Sequence, residues 1–260
     1  MVKPEIQNVV IIGAGRLALN LSMAIKKQGY EITEVCNRSE LRGQSLAKKL
    51  NARYISNPET MTPDADLYIL AVSDEAIPFL LDHIKIQDHL IVHTSGSVNM
   101  DVLRRVSANY GVIYPPQTFT TQEVLPFQMV PVCIEANSEE NLLNLRIFAE
   151  SFSEKVCTIN SEQRKVIHLA AVFASNFTNF LVSISQELLI ENGIDSGILE
   201  PIIMQTARNS SFGDVSKLQT GPAIRKDMET IKKHIEMLSA HPEFKEIYEL
   251  ITKTIIQRNK

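Results

Sequence analysis

The sequence predicts two folding units in series: an α/β domain on a parallel sheet over residues 1–158 and an all-α C-terminal domain over 159–260. Three observations carry that reading. Up to about residue 158, short β-branched runs alternate with helical stretches, the pattern of βαβ units. Beyond residue 160 the strand signal stops and only helical periodicity continues. The first strand also runs into a glycine-rich turn that opens a helix.

With 44% apolar and 22% charged residues, the 260-residue chain has the composition of an ordered globular protein. A formal charge of -4 offers no basic face for nucleic acid, so a small-molecule partner is expected. The three cysteines, Cys36, Cys133 and Cys157, are odd in number and lack C-x-x-C spacing. That predicts neither a disulfide framework nor a metal site, and fits a reduced cytoplasm. Residues Met1-Val2-Lys3-Pro4-Glu5 lead straight into a strand-like run, and no window reads as a membrane helix, which again favours a cytoplasmic location.

Strands are expected at 9–12, 32–36, 53–55, 67–70, 90–93, 112–114, 130–134 and 155–159. Helices are expected between them at 17–28, 40–50, 76–83, 98–106 and 139–152. The first strand passes into Gly13-Ala14-Gly15-Arg16-Leu17-Ala18, a G-x-G-x-x-A run that marks a Rossmann dinucleotide site. Gly13 permits the tight turn, Gly15 lets a pyrophosphate approach the backbone, and Ala18 lets helix and strand pack closely. The helix N-terminus that includes Arg16 and Leu17 then faces the anion.

The second strand ends in Cys36-Asn37-Arg38-Ser39. Arg38 can pair with a ribose 2′-phosphate, Ser39 can donate to it, and Asn37 lacks the carboxylate that would repel it, so NADP is favoured over NAD. The alternatives stay open: Arg38 as a solvated charge, Ser39 as a helix cap, and Glu34 as a ribose acid. At the fourth strand end, Val72, Ser73 and Asp74 either flank the cofactor or cap the helix near Ala76. The next end is His93-Thr94-Ser95-Gly96-Ser97. His93 is an acid/base candidate or a satisfied structural donor, Ser95 joins the polar set near the nicotinamide, and Ser97 is a possible N-cap. Then comes Tyr114-Pro115-Pro116-Gln117-Thr118-Phe119, with two prolines that imply a cis bond or a rigid wall and place Gln117 and Thr118 toward the cleft.

In the C-terminal domain, helices are expected at 161–191, 196–210, 227–238 and 243–257. The first is apolar nearly all round and should be buried. At 100° per residue, His168, Ser175, Asn179, Ser183 and Gln186 share one stripe, with Asn176 at its edge. Neighbouring helices or a ligand cleft must satisfy that stripe. Thr220-Gly221-Pro222-Ala223-Ile224-Arg225-Lys226-Asp227 reads as a turn into a helix whose first-turn cations oppose the dipole. A substrate anion on Arg225, or an ion pair, would resolve that conflict.

Through Gly13-Ala14-Gly15, His93 to Ser97, Tyr114 to Phe119, Ala174-Ser175-Asn176 and Thr220 to Asp227, the whole chain resembles one bacterial family. That family joins a Rossmann-like domain to a helical domain of unknown function and contains NADP oxidoreductase-like proteins. More distantly, the chain resembles the superfamily of 6-phosphogluconate dehydrogenase, ketopantoate reductase and pyrroline-5-carboxylate reductase. The resemblance implies a helical domain that dimerises and covers the nicotinamide. Several of those enzymes use a lysine one turn before an asparagine, where this chain has Val172 and Ser175; Lys165 lies too far back. His168 is then the residual acid/base candidate on that helix.

The expectation is an NADP-dependent oxidoreductase acting on a small, anionic carbonyl or imine compound. Gly13, Gly15, Arg16, Leu17, Asn37, Arg38, Ser39, Val72, Ser73 and Ser95 would hold cofactor. His93, His168 and Asn176 would be catalytic, and Gln117, Asn179 and Arg225 would bind substrate, in a homodimer. Two other readings stand beside it: a non-catalytic dinucleotide sensor, and a methyl-transfer or epimerase-type Rossmann protein.

Overall fold

A computed structural model describes residues 6–86, 88–119, 126–210 and 213–259, so residues 1–5, read above as the lead into the first strand, lie outside it. The strands are β1 (Asn8–Ile12), β2 (Glu31–Cys36), β3 (Arg53–Ile55), β4 (Leu67–Leu70), β5 (Leu90–His93), β6 (Tyr110–Tyr114), β7 (Val132–Ala136) and β8 (Val156–Thr158). They form one sheet in the order β3-β2-β1-β4-β5-β6-β7-β8. Helices α1 (Arg16–Lys27), α2 (Glu40–Leu50), α3 (Ala76–Leu81) and α4 (Glu139–Glu150) connect them.

β1 to β6 are parallel, while β7 runs antiparallel to β6 and β8 parallel to β7. The sheet is parallel-dominated, as an α/β Rossmann-type fold expects, with β6–β7 as its antiparallel pairing. No α-helix stands between β6 and β7 among the described residues, so the helical crossover that a parallel return uses is missing.

The central strands read as unbroken apolar runs because both faces of the sheet are covered. In β1, Val9 and Ile11 enter the core shared with Leu21 and Ile25 of α1 and with Leu46 and Leu50 of α2. Val10 and Ile12 enter the opposite core with Tyr68, Ile77 and Leu81. The expected helix at 98–106 is instead a 3-10 segment, Met100–Arg105. Its cap is Asn99, whose side chain accepts from the Asp101 N–H at 2.8 Å, not Ser97. The described backbone holds no cis peptide bond, so Pro115 and Pro116 stiffen a trans loop.

The chain divides into two units, Met1–Ser175 and Asn176–Lys260, so that α5 (Ser161–Ala171) falls with the sheet although the strand pattern ends before it. Chemistry on one face of α5 accounts for this. Asn160 and Gln163 form a reciprocal capping box at its start. One turn on, the wholly buried Arg164 donates to the Glu135 carboxylate of β7 and to the Val98 carbonyl, and reaches the Ser161 hydroxyl at 3.2 Å. Glu135 also accepts from the Ser161 N–H at 2.8 Å. Among these groups only the Arg164 Nε lacks a partner.

Helical backbone continues through a π segment, Val172–Phe177, into α6 (Thr178–Glu191). The expectation of a buried helix is corrected here: no residue of α6 is buried in the single chain, and Phe173, Phe180 and Leu181 are exposed. The sequence rule reads apolarity as burial, and a single chain does not supply the covering surface. By length and composition the run Ser161–Glu191 reaches what a membrane span takes, with an 18-residue window of mean hydropathy 1.5, which corrects the reading that no window does. One such helix carries little weight beside the buried Arg164 near its start.

In the second unit, α7 (Glu200–Asn209) follows, and α8 (Pro222–Arg225), α9 (Met228–Met237) and α10 (Pro242–Arg258) gather around Ala223, Ile231, Leu238 and Phe244. The dipole conflict read at Arg225 dissolves. Arg225 closes the four-residue α8, Lys226 turns left-handed at φ 55°, and Asp227 caps α9 through the Thr230 N–H.

Removing one partner of a buried ion pair leaves the other charge unpaired, at a cost of about 3–5 kcal/mol. Arg164→Met should therefore lower the unfolding free energy of the full chain by that order, read as a fall in its denaturant midpoint, and an unchanged midpoint would show that α5 is held by something else.

Candidate functional site

The register brings three strand ends side by side, since Ile12 pairs with both Cys36 and Leu70. Gly13 follows at φ 118°, and a Cβ on it would stand 2.2 Å from the Ala71 carbonyl oxygen, so no side chain fits there. A Cβ on Gly15 would meet nothing within 4 Å. Gly13 is thus required by the protein's own packing, and Gly15 by nothing the protein itself puts there. That is the division expected if the second glycine admits a ligand. The N-terminus of α1 has no side-chain cap and no acidic residue in its first turn, leaving its N–H groups free for an anion. Ala18 is buried against the sheet and Leu17 packs on that core.

At the end of β2, Asn37 is held from both sides: its N–H donates to the Ile55 carbonyl, its amide to the Ser39 carbonyl at 2.8 Å, and its carbonyl accepts from the Tyr54 hydroxyl at 3.0 Å. Ser39 occupies the N-cap position of α2, yet its hydroxyl makes no capping hydrogen bond. The capping alternative therefore uses only its backbone. Arg38 is exposed and has no ion-pair or hydrogen-bond partner among the described residues. Glu34 is buried, accepts from the Thr62 N–H at 2.9 Å and pairs with Arg53 at 3.3 Å, so it is committed to packing and not to a ribose.

A groove of about 520 Å³ opens beside Gly15, lined among others by Arg16, Leu41, Arg42, Ser45 and Lys49. Arg42 was missed by the sequence reading. Arg42 lies four residues after Arg38, and only the seating of α2 brings it to the edge of the glycine turn. That seating needs Gly43, where a Cβ would fall 2.3 Å from the Tyr54 ring.

At the end of β4, neither Ser73 nor Asp74 caps α3 with its side chain. Val72 lies against Gly13, Ser73 is exposed, and Asp74 accepts from the Ser97 hydroxyl. Ser95 is buried and spends its oxygen on the Ser97 and Val98 N–H groups at 3.1 and 3.0 Å, so it shapes the turn.

His93 is wholly buried, its Nδ1 accepts from the Ser95 N–H at 3.1 Å, and its Nε2 has no hydrogen-bond partner among the described residues. Burial and the nearby Arg164 guanidinium push its pKa down to about 4, against weaker upward pulls from the Asn99 backbone and Asp74. The acid/base expectation for His93 is corrected accordingly: a neutral, enclosed imidazole that accepts from the Ser95 N–H is a fixed acceptor, not a proton shuttle at neutral pH.

Tyr114 and His168 form the pair that sequence spacing did not join. The Tyr114 hydroxyl lies 3.2 Å from His168 Nδ1, and the rings meet edge to face. Burial pushes the Tyr114 phenol up to about 12. A Cβ on Gly96 would stand 2.7 Å from the His168 ring, so Gly96 is the floor on which that imidazole rests. Beside them the Thr118 and Ser175 hydroxyls are 2.7 Å apart, while Gln117 is exposed with its side-chain oxygen accepting from the Thr118 N–H.

The straight polar stripe is corrected in the π segment, where i→i+5 turns take in an extra residue and reset the helical phase. Asn176 lies in that segment and Asn179 in the first turn of α6, both exposed; Arg225 is exposed in the second unit. Ser183 is satisfied by the Phe180 carbonyl of its own helix.

Residues 8–96 match the family described as NADP oxidoreductase, coenzyme F420-dependent, and residues 130–255 match a domain of unknown function, DUF2520. The chain is similar to a candidate NADP oxidoreductase from Bacteroides fragilis at 37% identity, covering 98% of this chain and 100% of that one, with a TM-score of 0.91. Pyrroline-5-carboxylate reductase from Streptococcus pyogenes shares the fold at 15% identity, over 97% and 99% of the two chains, with a TM-score of 0.64. A reductive aminase from Aspergillus terreus, in complex with NADPH and ethyl-5-oxohexanoate, does so at 12% identity over 97% and 93%, with a TM-score of 0.73. No curated protein matches the chain.

The unfolded His93 ring binds its proton near 6.5, the folded one near 4. Between those values the unfolded state holds more protons, so the stability His93 contributes is present above about 6.5 and is lost as pH falls toward 4. In an NMR titration the His93 ring signals should hold their neutral-form shifts down to about pH 5, and a midpoint near 6.5 would contradict the buried geometry.

Proposed function

The chain belongs to the family that couples an NADP oxidoreductase-type Rossmann domain to the DUF2520 helical domain, and from that premise we propose that it is an NADP(H)-dependent reductase of small, anionic carbonyl or imine compounds. The observation that carries the cofactor choice is the set of unpartnered cations beside the glycine turn. Among the described residues Arg38 and Arg42 have no ion pair, the Ser39 hydroxyl makes no capping hydrogen bond, and the acid that NAD would need is committed elsewhere as Glu34. In this reading Gly13, Gly15, Arg16 and Leu17 take the pyrophosphate at the α1 N-terminus, and Asn37 with Val72 and Ser73 borders the adenosine.

NADPH, when bound, supplies the hydride; the protein's own groups bind, orient and move protons. Tyr114 holds His168 by Nδ1, and His168 exchanges the proton through its remaining nitrogen. His93 keeps the turn after β5 in place as a neutral acceptor for the Ser95 N–H. Gln117 in the first unit, and Asn176, Asn179 and Arg225 in the helical unit, are each candidates to orient the substrate. The substrate class is supported by the relatives named for pyrroline-5-carboxylate and for reductive amination. The exposed apolar residues of α6 support a homodimer, which sedimentation of the chain as a monomer would rule out. A cytoplasmic location fits an enzyme of this cofactor.

The replacement of the superfamily's lysine by Val172 and Ser175 favours one rival, a dinucleotide sensor without turnover. NADPH oxidation across a panel of keto acids and cyclic imines separates the two. Measurable turnover that falls in His168→Asn supports the enzyme, and tight binding with no turnover supports the sensor.

Calorimetric titration tests the cofactor assignment. A charge-assisted contact to phosphate is worth about 1.5–3 kcal/mol. NADPH should therefore bind more tightly than NADH, and Arg38→Ala and Arg42→Ala should each weaken NADPH about ten- to hundredfold with little effect on NADH. Binding of neither nucleotide would end the oxidoreductase reading.

A further inference from the structure

Cys133 and Cys157 are direct partners in the parallel register of β7 and β8, and Cys133 faces Tyr114 across the β6–β7 ladder. Paired residues on adjacent strands project to the same face of a sheet. Here Tyr114, Cys133 and Cys157 share one apolar cluster, which Ile167 of α5 joins. Adjacent strands lie about 4.8 Å apart, within the ~4.4–6.8 Å Cα separation that a disulfide spans. Both sulfurs are free thiols, Cys133 buried and Cys157 half-buried on the last strand of the sheet.

We propose that Cys133 and Cys157 are a redox-active pair that closes a reversible intrachain disulfide on exposure to a peroxide. The half-buried Cys157 meets the oxidant first. Its thiolate attacks a peroxide oxygen, an S–O bond forms, the O–O bond breaks, and hydroxide leaves to be protonated to water. The Cys133 sulfur then attacks the Cys157 sulfur, the S–S bond forms, and the S–O bond breaks. A second water leaves, carrying the Cys133 proton. Two thiols are oxidised by two electrons in all, and hydrogen peroxide is reduced to two waters.

Burial first, and then the neighbouring Cys157, hold the Cys133 thiol up at about 11, so the second step is slow at neutral pH and quickens as pH rises. Transient disulfides of this kind are the form in which cytosolic proteins use cysteine pairs. The bond forms one strand from Tyr114, whose hydroxyl holds His168, so the pair is placed to report oxidation to that dyad. The thiol chemistry does not depend on any assignment of cofactor or substrate.

The test treats the full chain with hydrogen peroxide at pH 7 and pH 9, blocks residual thiols, and maps the peptides by mass. Three free thiols should fall to one, with a Cys133–Cys157 linked peptide that dithiothreitol reverses, forming faster at pH 9. Cys157→Ser, at a half-exposed position that tolerates the change, should keep both remaining thiols. Cys133→Ser should leave a sulfenic acid on Cys157 that dimedone traps. Linkage between chains, linkage through Cys36, or oxidation of wild-type Cys157 beyond sulfenic acid without any Cys133 link would overturn the proposal.

Discussion

The buried guanidinium of Arg164 is the constraint on which the arrangement around the strand ends depends. A charge removed from water must be met by fixed partners, and here those partners come from β7, from the turn after β5 and from the first turn of α5 itself. Satisfying one side chain therefore ties three parts of the chain together. The same face of α5 then carries His168 to Gly96 and Tyr114, and Ser175 to Thr118 just past the helix. The charge also reaches His93 and Tyr114, lowering the pKa of both, though burial outweighs it at Tyr114.

Close approach is the second organising feature. Gly13, Gly43 and Gly96 each lack the Cβ that would strike, respectively, the Ala71 carbonyl, the Tyr54 ring and the His168 ring. The first sets the depth of the dinucleotide turn, the second seats the helix bearing Arg42, and the third seats the imidazole. Gly15 differs because the space beside it is empty of protein. A glycine demanded by packing and a glycine beside open space mean different things, and the motif pattern alone does not separate them.

The helical unit is unlike the strands of the sheet in how it uses its apolar residues. The sheet hides nearly all of its own, whereas Phe180, Leu181, Ile190, Ile198 and Ile202 lie exposed along α6 and the segment that follows. Hydrophobic surface on that scale is costly to leave in water, so the helical unit carries an unmet demand for a partner. The π segment falls at the division between the units, at Ser175 and Asn176, where the helix changes from serving the sheet to serving that surface.

What the sequence by itself determined is local and periodic: the alternation of strands and helices, the glycine turn at Gly13 and Gly15, the basic tip Asn37-Arg38-Ser39, and the change to pure helix after the last strand. Those features follow from backbone sterics and from which faces need covering, and neighbours in the chain suffice to express them. Only the tertiary structure decided that His93 is sealed and neutral, that Glu34 is committed to Arg53 and Thr62, that Tyr114 belongs with His168, and that Arg42 stands beside Gly15. Each of those depends on desolvation or on contact between residues far apart in the chain. Such terms are set by what the rest of the fold places around a side chain, and spacing along a sequence does not encode them.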